Sequence, residues 1–244
     1  MTHTDILADS LVIGASSGIA QALIKRLLVA RKQVIAVSRC DCPKDLAADN
    51  LIWLKTEYDA TCIARTTNQI ANLVGRVHDV YICHGVLHDN EKMPEKKLED
   101  LEFSYIEQLY HCNTVVPVMW LKQILPILTK QTCTYVTVFS ARVGSIGDNQ
   151  LGGWYGYRAS KAALNMMLKT ASIELKRRAK GVKLIAFHPG TTNTPLSKPF
   201  QKRVEEGKLF TPEFVARQLL AIQQGLVPDG ELAYIDWQGE EIAY

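Results

Sequence analysis

Ser10-Leu-Val-Ile-Gly14-Ala-Ser-Ser-Gly18-Ile-Ala20 is the stretch that decides the fold. It starts as an aliphatic run, turns at a glycine and leads into an amphipathic stretch over residues 17–30. A strand that feeds a helix through a glycine-rich turn opens a βαβ unit. Gly14 permits the tight turn, and Gly18 lets the backbone approach a pyrophosphate with no side chain in the way. Free N–H groups at the start of the helix then meet the negative charge. Ser16 and Ser17 can cap the helix or bond phosphate oxygens, and Ile19 completes the candidate cradle.

The alternation continues downstream. Short apolar runs predict strands over 11–13, 33–37, 51–55, 80–83, 134–139, 183–187 and 232–235. Longer amphipathic stretches predict helices over 17–30, 61–73, 103–125, 155–179 and 212–223. Thr211 before Pro212 suits a cap followed by a first-turn proline. The strands are hydrophobic throughout, as strands covered on both faces must be. The expected fold is α/β: a Rossmann-type, doubly wound, parallel sheet of seven strands in order 3-2-1-4-5-6-7. Helices should cover both faces, with a ligand across the carboxyl ends of the strands. No linker, repeat or low-complexity stretch appears, so residues 1–244 read as one domain. The charged segment 91–102 reads as an exposed loop and helix start.

Composition narrows the function. The net charge of +3 is too small, and its basic residues too scattered, for nucleic acid. The densest basic run, residues 176–180, falls at an expected helix end, where cations suit the helix dipole. No apolar run has the length to span a bilayer, and residues 1–5 lack the features of a signal peptide. Six cysteines are scattered without a disulfide framework or zinc spacing, so no metal and a reducing, cytoplasmic location are expected.

A second signature lies far from the first. In Gly156-Tyr-Arg-Ala-Ser-Lys161, Tyr157 and Lys161 are four residues apart and share one helix face. A phenol ionises near ~10, and a close ammonium favours its ionised form. The pair therefore reads as an acid–base centre.

Together these motifs resemble the short-chain dehydrogenase/reductase family. Two further stretches, Ser140-Ala-Arg-Val-Gly144-Ser-Ile-Gly-Asp-Asn149 and Gly152-Gly-Trp-Tyr-Gly-Tyr157, look like its C-factor-like branch, related to small carbonyl reductases. The resemblance implies an NADP(H)-dependent oxidoreductase that exchanges hydride between a nicotinamide and an aldehyde, ketone or secondary alcohol. Tyr157 would give the proton, and Lys161 would acidify Tyr157 and bind the nicotinamide ribose. Asn113 would complete a proton relay through water. Asp59 and Ala60 would contact the adenine ring, and His84 and Gly85 would line the nucleotide cleft. Pro189, Gly190, Thr192 and Thr194 would hold the carboxamide end.

The chain departs from the family pattern in several places. Ile13 replaces a threonine, Ala20 replaces the last glycine, and Cys83-His84-Gly85 stands where relatives carry Asn-Ala-Gly. Ala141 falls where relatives carry the serine that polarises the carbonyl. Ser140, Ser145 or no serine could fill that role, with Ser140 first. The family's acidic position after the second strand is Ser38, followed by Arg39, which favours NADP(H) over NAD(H) because a guanidinium can clasp a 2′-phosphate. Residues 196–210 would form a substrate lid whose Leu196, Pro199, Phe200 and Phe210 suggest an apolar substrate. The family pairs its two long helices between subunits, so a homodimer or homotetramer is expected. Leu164, Met167 and Leu168 face either that seam or the chain's own core. The alternative function is a C-factor-type signalling or scaffold protein that binds a dinucleotide with little turnover.

Overall fold

A computed structural model describes residues 6–7, 9–89, 91–128 and 133–244; the leading residues 1–5 lie outside it. Seven strands form one parallel sheet: β1 (Ser10–Ile13), β2 (Val34–Ser38), β3 (Leu51–Lys55), β4 (Asp79–Ile82), β5 (Thr134–Phe139), β6 (Val182–His188) and β7 (Ala233–Asp236). Their order across the sheet is 3-2-1-4-5-6-7, and each neighbouring pair runs parallel. Most of these residues are β-branched or aliphatic and buried on both faces, which is why the sequence shows continuous apolar runs rather than alternation.

Six α-helices cover the sheet: α1 (Gly18–Val29), α2 (Ala60–Leu73), α3 (Phe103–Tyr110), α4 (Val116–Leu128), α5 (Tyr155–Arg178) and α6 (Pro212–Gln224). One core lies under α1 and α6, where Leu23, Leu27, Val215 and Leu219 pack on Val12, Ala36 and Ile185. The other lies under α2, α4 and α5, where Ile63, Trp120, Leu164 and Leu168 pack on Ile13, Val37 and Val138. Leu164 and Leu168 thus belong to the chain's own core, while Met167 is exposed. Among the described residues, no helix is long and apolar enough to cross a membrane.

Two expectations are corrected. The helix read over 103–125 is interrupted by a π-helical turn, His111–Val115, between α3 and α4. Pro117 has no N–H to give the carbonyl of Asn113, so the α-helical pattern cannot run through this point. The segment 91–102 is not uniformly exposed, because Pro94 and Glu95 are buried.

Candidate active site

The candidate residues gather where β1, β2, β4, β5 and β6 end, the expected ligand edge of such a sheet. The chain leaves β1 through Gly14, at φ +80°, and a Cβ there would stand 3.0 Å from the carbonyl of Cys83. A non-glycine residue would have both strain and a clash at this turn. Ser17 caps α1 by accepting from the Ala20 amide at 3.3 Å, while Ser16 is exposed and Ile19 half-buried beside it. A Cβ on Gly18 would lie 3.3 Å from Thr194 Cγ2, so the strand-one turn and the segment after β6 face each other across a narrow gap. Thr192 Oγ1 donates to the Gly190 carbonyl and Thr194 Oγ1 to the Thr192 carbonyl, which folds residues 189–194 into a tight turn. This cradle of small residues and free helix-start amides fits a pyrophosphate.

The trough continues along the ends of β2 and β4. Arg39 is exposed, stacks 5.4 Å from the Tyr58 ring centroid, and makes no ion pair among the described residues. The nearby acid Asp41 is held by Lys55 at 2.8 Å. Ser38 is buried and accepts from the Cys40 amide. Tyr58 also packs edge-on against His84, with centroids 4.5 Å apart. Burial, helped by Lys161 and Arg39, lowers His84 to about 3, so its ring is neutral; its Nε2 is buried without a partner among the described residues. Asp59 caps α2 by accepting from the Cys62 amide, and Ala60 begins that helix.

Tyr157 and Lys161 lie on one face of α5, both buried at the cleft. Lys161 is 2% exposed, and its Nζ donates to the Phe139 carbonyl at the end of β5, 2.9 Å away. A Cβ on Gly85 would stand 3.7 Å from Lys161 Nζ and 4.0 Å from Asn113 Oδ1, so these three positions meet at the floor of the cleft. The π-helical turn holds Asn113. Its amide side chain accepts from the Val86 amide at 2.7 Å and donates to the Val86 carbonyl and to Ser160 Oγ. Ser160 in turn donates to the Tyr157 carbonyl, and Thr114 donates to the Ser160 carbonyl. Ser160, which the sequence reading missed, is the link that locks Asn113 to the helix of Tyr157. Its only sequence signal is a small polar residue one position before Lys161.

Burial dominates the electrostatics of this pair. Burial pushes the Tyr157 phenol above its ordinary range, and no lowering from Lys161 offsets it. Burial also brings Lys161 down to about 7. Exclusion of water disfavours the charged form of each side chain, and the Lys161 Nζ donates to the Phe139 carbonyl.

Both serine candidates are engaged in hydrogen bonds. Ser140 Oγ donates to Asn165 Oδ1 at 2.6 Å, and Ser145 Oγ accepts from the Asp148 amide. Ala141 packs with Tyr157 and Leu87, and Val143, Trp154, Leu196 and Phe200 close around them. Ser140 and Ala141 are successive residues in extended chain, so their side chains point to opposite sides, and Tyr234 Oη fixes the orientation by donating to the Ala141 carbonyl. Of the expected lid residues, Leu196 and Phe200 pack on this cluster and Pro199 is exposed. Phe210 packs elsewhere: its ring stacks 4.3 Å from Trp237 and 4.8 Å from Phe214.

Known proteins agree with this architecture. Residues 10–205 match the short chain dehydrogenase family. The chain is 31% identical over 224 residues to 1-hydroxy-2-glutathionyl-2-methyl-3-butene dehydrogenase of Rhodococcus sp. (strain AD45), covering 91% of this chain and 93% of that one. It is 31% identical over 147 residues to the C-signal protein of Myxococcus xanthus, covering 60% and 83% of the two chains. The crystal structure of NADPH-bound carbonyl reductase from chicken fatty liver superposes with a TM-score of 0.82 at 24% identity, over 98% of this chain and 99% of that one. The match over most of its length, on a Rossmann-type sheet that brings Tyr157, Lys161 and Asn113 to one cleft, establishes that the chain belongs to the short-chain dehydrogenase family of oxidoreductases.

Proposed function

We propose that the protein is an NADP(H)-dependent reductase of apolar aldehydes or ketones, reversible as an alcohol dehydrogenase. The observation that carries this reading is the meeting of Lys161, Asn113 and Gly85 beside the Tyr157 cluster, at the same sheet edge as the Gly14–Gly18 turn. When bound, the dinucleotide supplies or accepts the hydride. Gly14, Ser16, Ser17, Gly18, Ile19 and Thr194 would hold its pyrophosphate, and Arg39 its 2′-phosphate. Asp59, Ala60 and His84 would flank the adenosine half. Gly85, Lys161, Pro189, Gly190 and Thr192 would flank the nicotinamide half.

Tyr157 gives its phenolic proton to the carbonyl oxygen as that oxygen becomes an alkoxide. Burial suits this step, because the phenol is held protonated at neutral pH. Lys161 stabilises the tyrosinate that remains, and Asn113 keeps the route from Lys161 to water open. Beside Tyr157, the cluster of Leu87, Ala141, Val143, Trp154, Leu196 and Phe200 is apolar and partly aromatic, which supports an apolar substrate. No serine hydroxyl shares the work of Tyr157, so Ala141 makes this a one-donor site.

Two substitutions probe these assignments. Arg39→Ala removes a charge-assisted contact of roughly 1.5–3 kcal/mol. It is expected to weaken NADPH binding by about 10- to 100-fold and to leave NADH binding unchanged, as read by fluorescence titration. Equal loss for both nucleotides would remove the NADP(H) assignment. Ala141→Ser places a second donor against the carbonyl and is expected to raise kcat by about tenfold or more, since one such donor can be worth ~10²–10³. An unchanged or lower kcat would mean that the carbonyl does not sit against residue 141.

The direct test of the function is NADPH consumption across a panel of aliphatic and aryl aldehydes and ketones. Tight NADPH binding with no carbonyl consumed would favour the signalling alternative. We also infer a homo-oligomer built on α4 and α5. A groove of about 620 Å³ between them is lined by Val118, Leu121, Leu125 and Met167, and Met166 and Ile173 are exposed on α5. Light scattering would read the assembly.

A further inference from the structure

Glu95 is 2% exposed. No cation pairs with it among the described residues. Both its carboxylate oxygens instead face the first turn of α5, each 3.3 Å from the Gly156 amide, which donates. Its backbone carbonyl accepts from the Trp154 amide at 2.5 Å. Burying an unpaired carboxylate is costly. Here the amide and the positive end of a 24-residue helix offset that cost.

The start of α5 has no cap of its own. Trp154 stands at the cap position with φ +55° and no side-chain cap bond, after Gly152 and Gly153, which are also left-handed. Locally, Arg158 steadies the approach by donating to the Gly152 and Gly153 carbonyls, but the side chain that accepts from the first-turn amide is Glu95, from another loop. Gly156 is the complement of that contact. A Cβ there would stand 2.8 Å from Glu95 Oε1 and 2.8 Å from Leu109 Cδ1. Any larger residue at 156 would push the Glu95 carboxylate or the Leu109 side chain out of place.

Tyr157 is the next residue. The other end of the Glu95 loop holds Val86, bonded through both backbone groups to Asn113, and Leu87, packed on Tyr157. Glu95 therefore closes a ring of contacts: loop to helix start, helix start to Tyr157, Tyr157 through Ser160 to Asn113, and Asn113 back to the loop.

We propose that Glu95 is the positioning residue of Tyr157, fixing the first turn of α5 so that the phenol meets the substrate carbonyl at working distance. This rests on the reading of Tyr157 as proton donor. A displacement of about 1 Å at a reacting group can cost ~10²-fold in rate.

The test uses three variants of the full chain. Glu95→Gln keeps an acceptor at the same reach. Glu95→Asp keeps the charge but withdraws it by one methylene. Glu95→Ala removes both. Two quantities are read: kcat, with the NADPH dissociation constant as control, and hydrogen–deuterium exchange at the Gly156 amide, which does not depend on turnover. In Glu95→Asp and Glu95→Ala, kcat is expected to fall by about 10- to 100-fold, while NADPH affinity stays within about twofold because the cradle lies at the β1–α1 turn. Gly156 exchange is expected to rise by about tenfold or more in the same two variants. Glu95→Gln is expected to stay near wild type in both.

A fall in melting temperature with kcat and Gly156 exchange unchanged would make Glu95 merely structural and overturn the proposal. Glu95→Gln as poor as Glu95→Ala would overturn it too, because charge rather than position would then matter. If Glu95→Ala does not fold, Glu95→Asp carries the comparison. If wild type turns over no carbonyl but exchange follows the expected pattern, the helix-start clamp stands and the Tyr157 reading fails.

Discussion

Tyr157→Phe is expected to lower kcat for carbonyl reduction by about 10²–10⁴-fold, the span that a positioned general acid supplies. That corresponds to roughly 3–5 kcal/mol of barrier. NADPH binding is expected to stay within about twofold, because the phenol lies on the substrate side of the cleft among Leu87, Ala141 and Trp154. Stability should hold or rise slightly. The hydroxyl has no hydrogen-bond partner among the described residues, so its loss orphans nothing. Burial holds the phenol protonated well into the alkaline range. Alcohol oxidation, which needs the tyrosinate, should therefore gain rate as pH rises, and Tyr157→Phe should erase that pH dependence. Steady-state kinetics in both directions, beside nucleotide titration, check the set. A Tyr157→Phe enzyme within tenfold of wild type would mean that another group supplies the proton.

Lys161→Met has the second largest expected effect, and its signature is a split between activity and stability. Lys161 is a buried amine whose one hydrogen-bond partner among the described residues is the Phe139 carbonyl, and burial holds its ionisation down at about 7. A methionine of similar volume removes the cost of burying an amine and leaves one carbonyl unpaired, a penalty of about 1–3 kcal/mol. The two nearly cancel, so the melting temperature should barely move. By contrast, kcat is expected to fall by about 10²–10³-fold, and NADPH affinity to fall with it. A side chain kept for packing would show the reverse: a large loss of stability with activity per folded molecule intact. Calorimetry and kinetics on the same preparation separate the two.

The fold was legible because its determinants are local. The glycine turn at Gly14 and Gly18, the aliphatic strands and the Thr211–Pro212 cap announce themselves in short windows, and the observed strand order follows from βαβ connections. What stayed hidden depends on contacts far apart in sequence. The π-helical turn that holds Asn113 reads as plain helix, since Pro117 can also be accommodated by a kink. Glu95 reads as one charge in a polar loop, because its partner Gly156 lies 61 residues away. Phe210 reads as lid because it ends the apolar stretch 196–210, yet the aromatic rings of Phe214 and Trp237 draw it into the core beneath. The helix spacing of Tyr157 and Lys161 was legible, but their burial, which disfavours the charged form of each, was not, because sequence does not reveal how dry the cleft is.

The measurement that tests the account most directly follows a deuterium placed on the reactive C4 of NADPH during incubation with an aryl ketone. The account requires one deuterium on the carbinol carbon for each NADPH consumed, and no transfer with Tyr157→Phe despite unchanged nucleotide binding. NADPH held tightly by the wild-type protein, with no deuterium passed to any carbonyl offered, would contradict it.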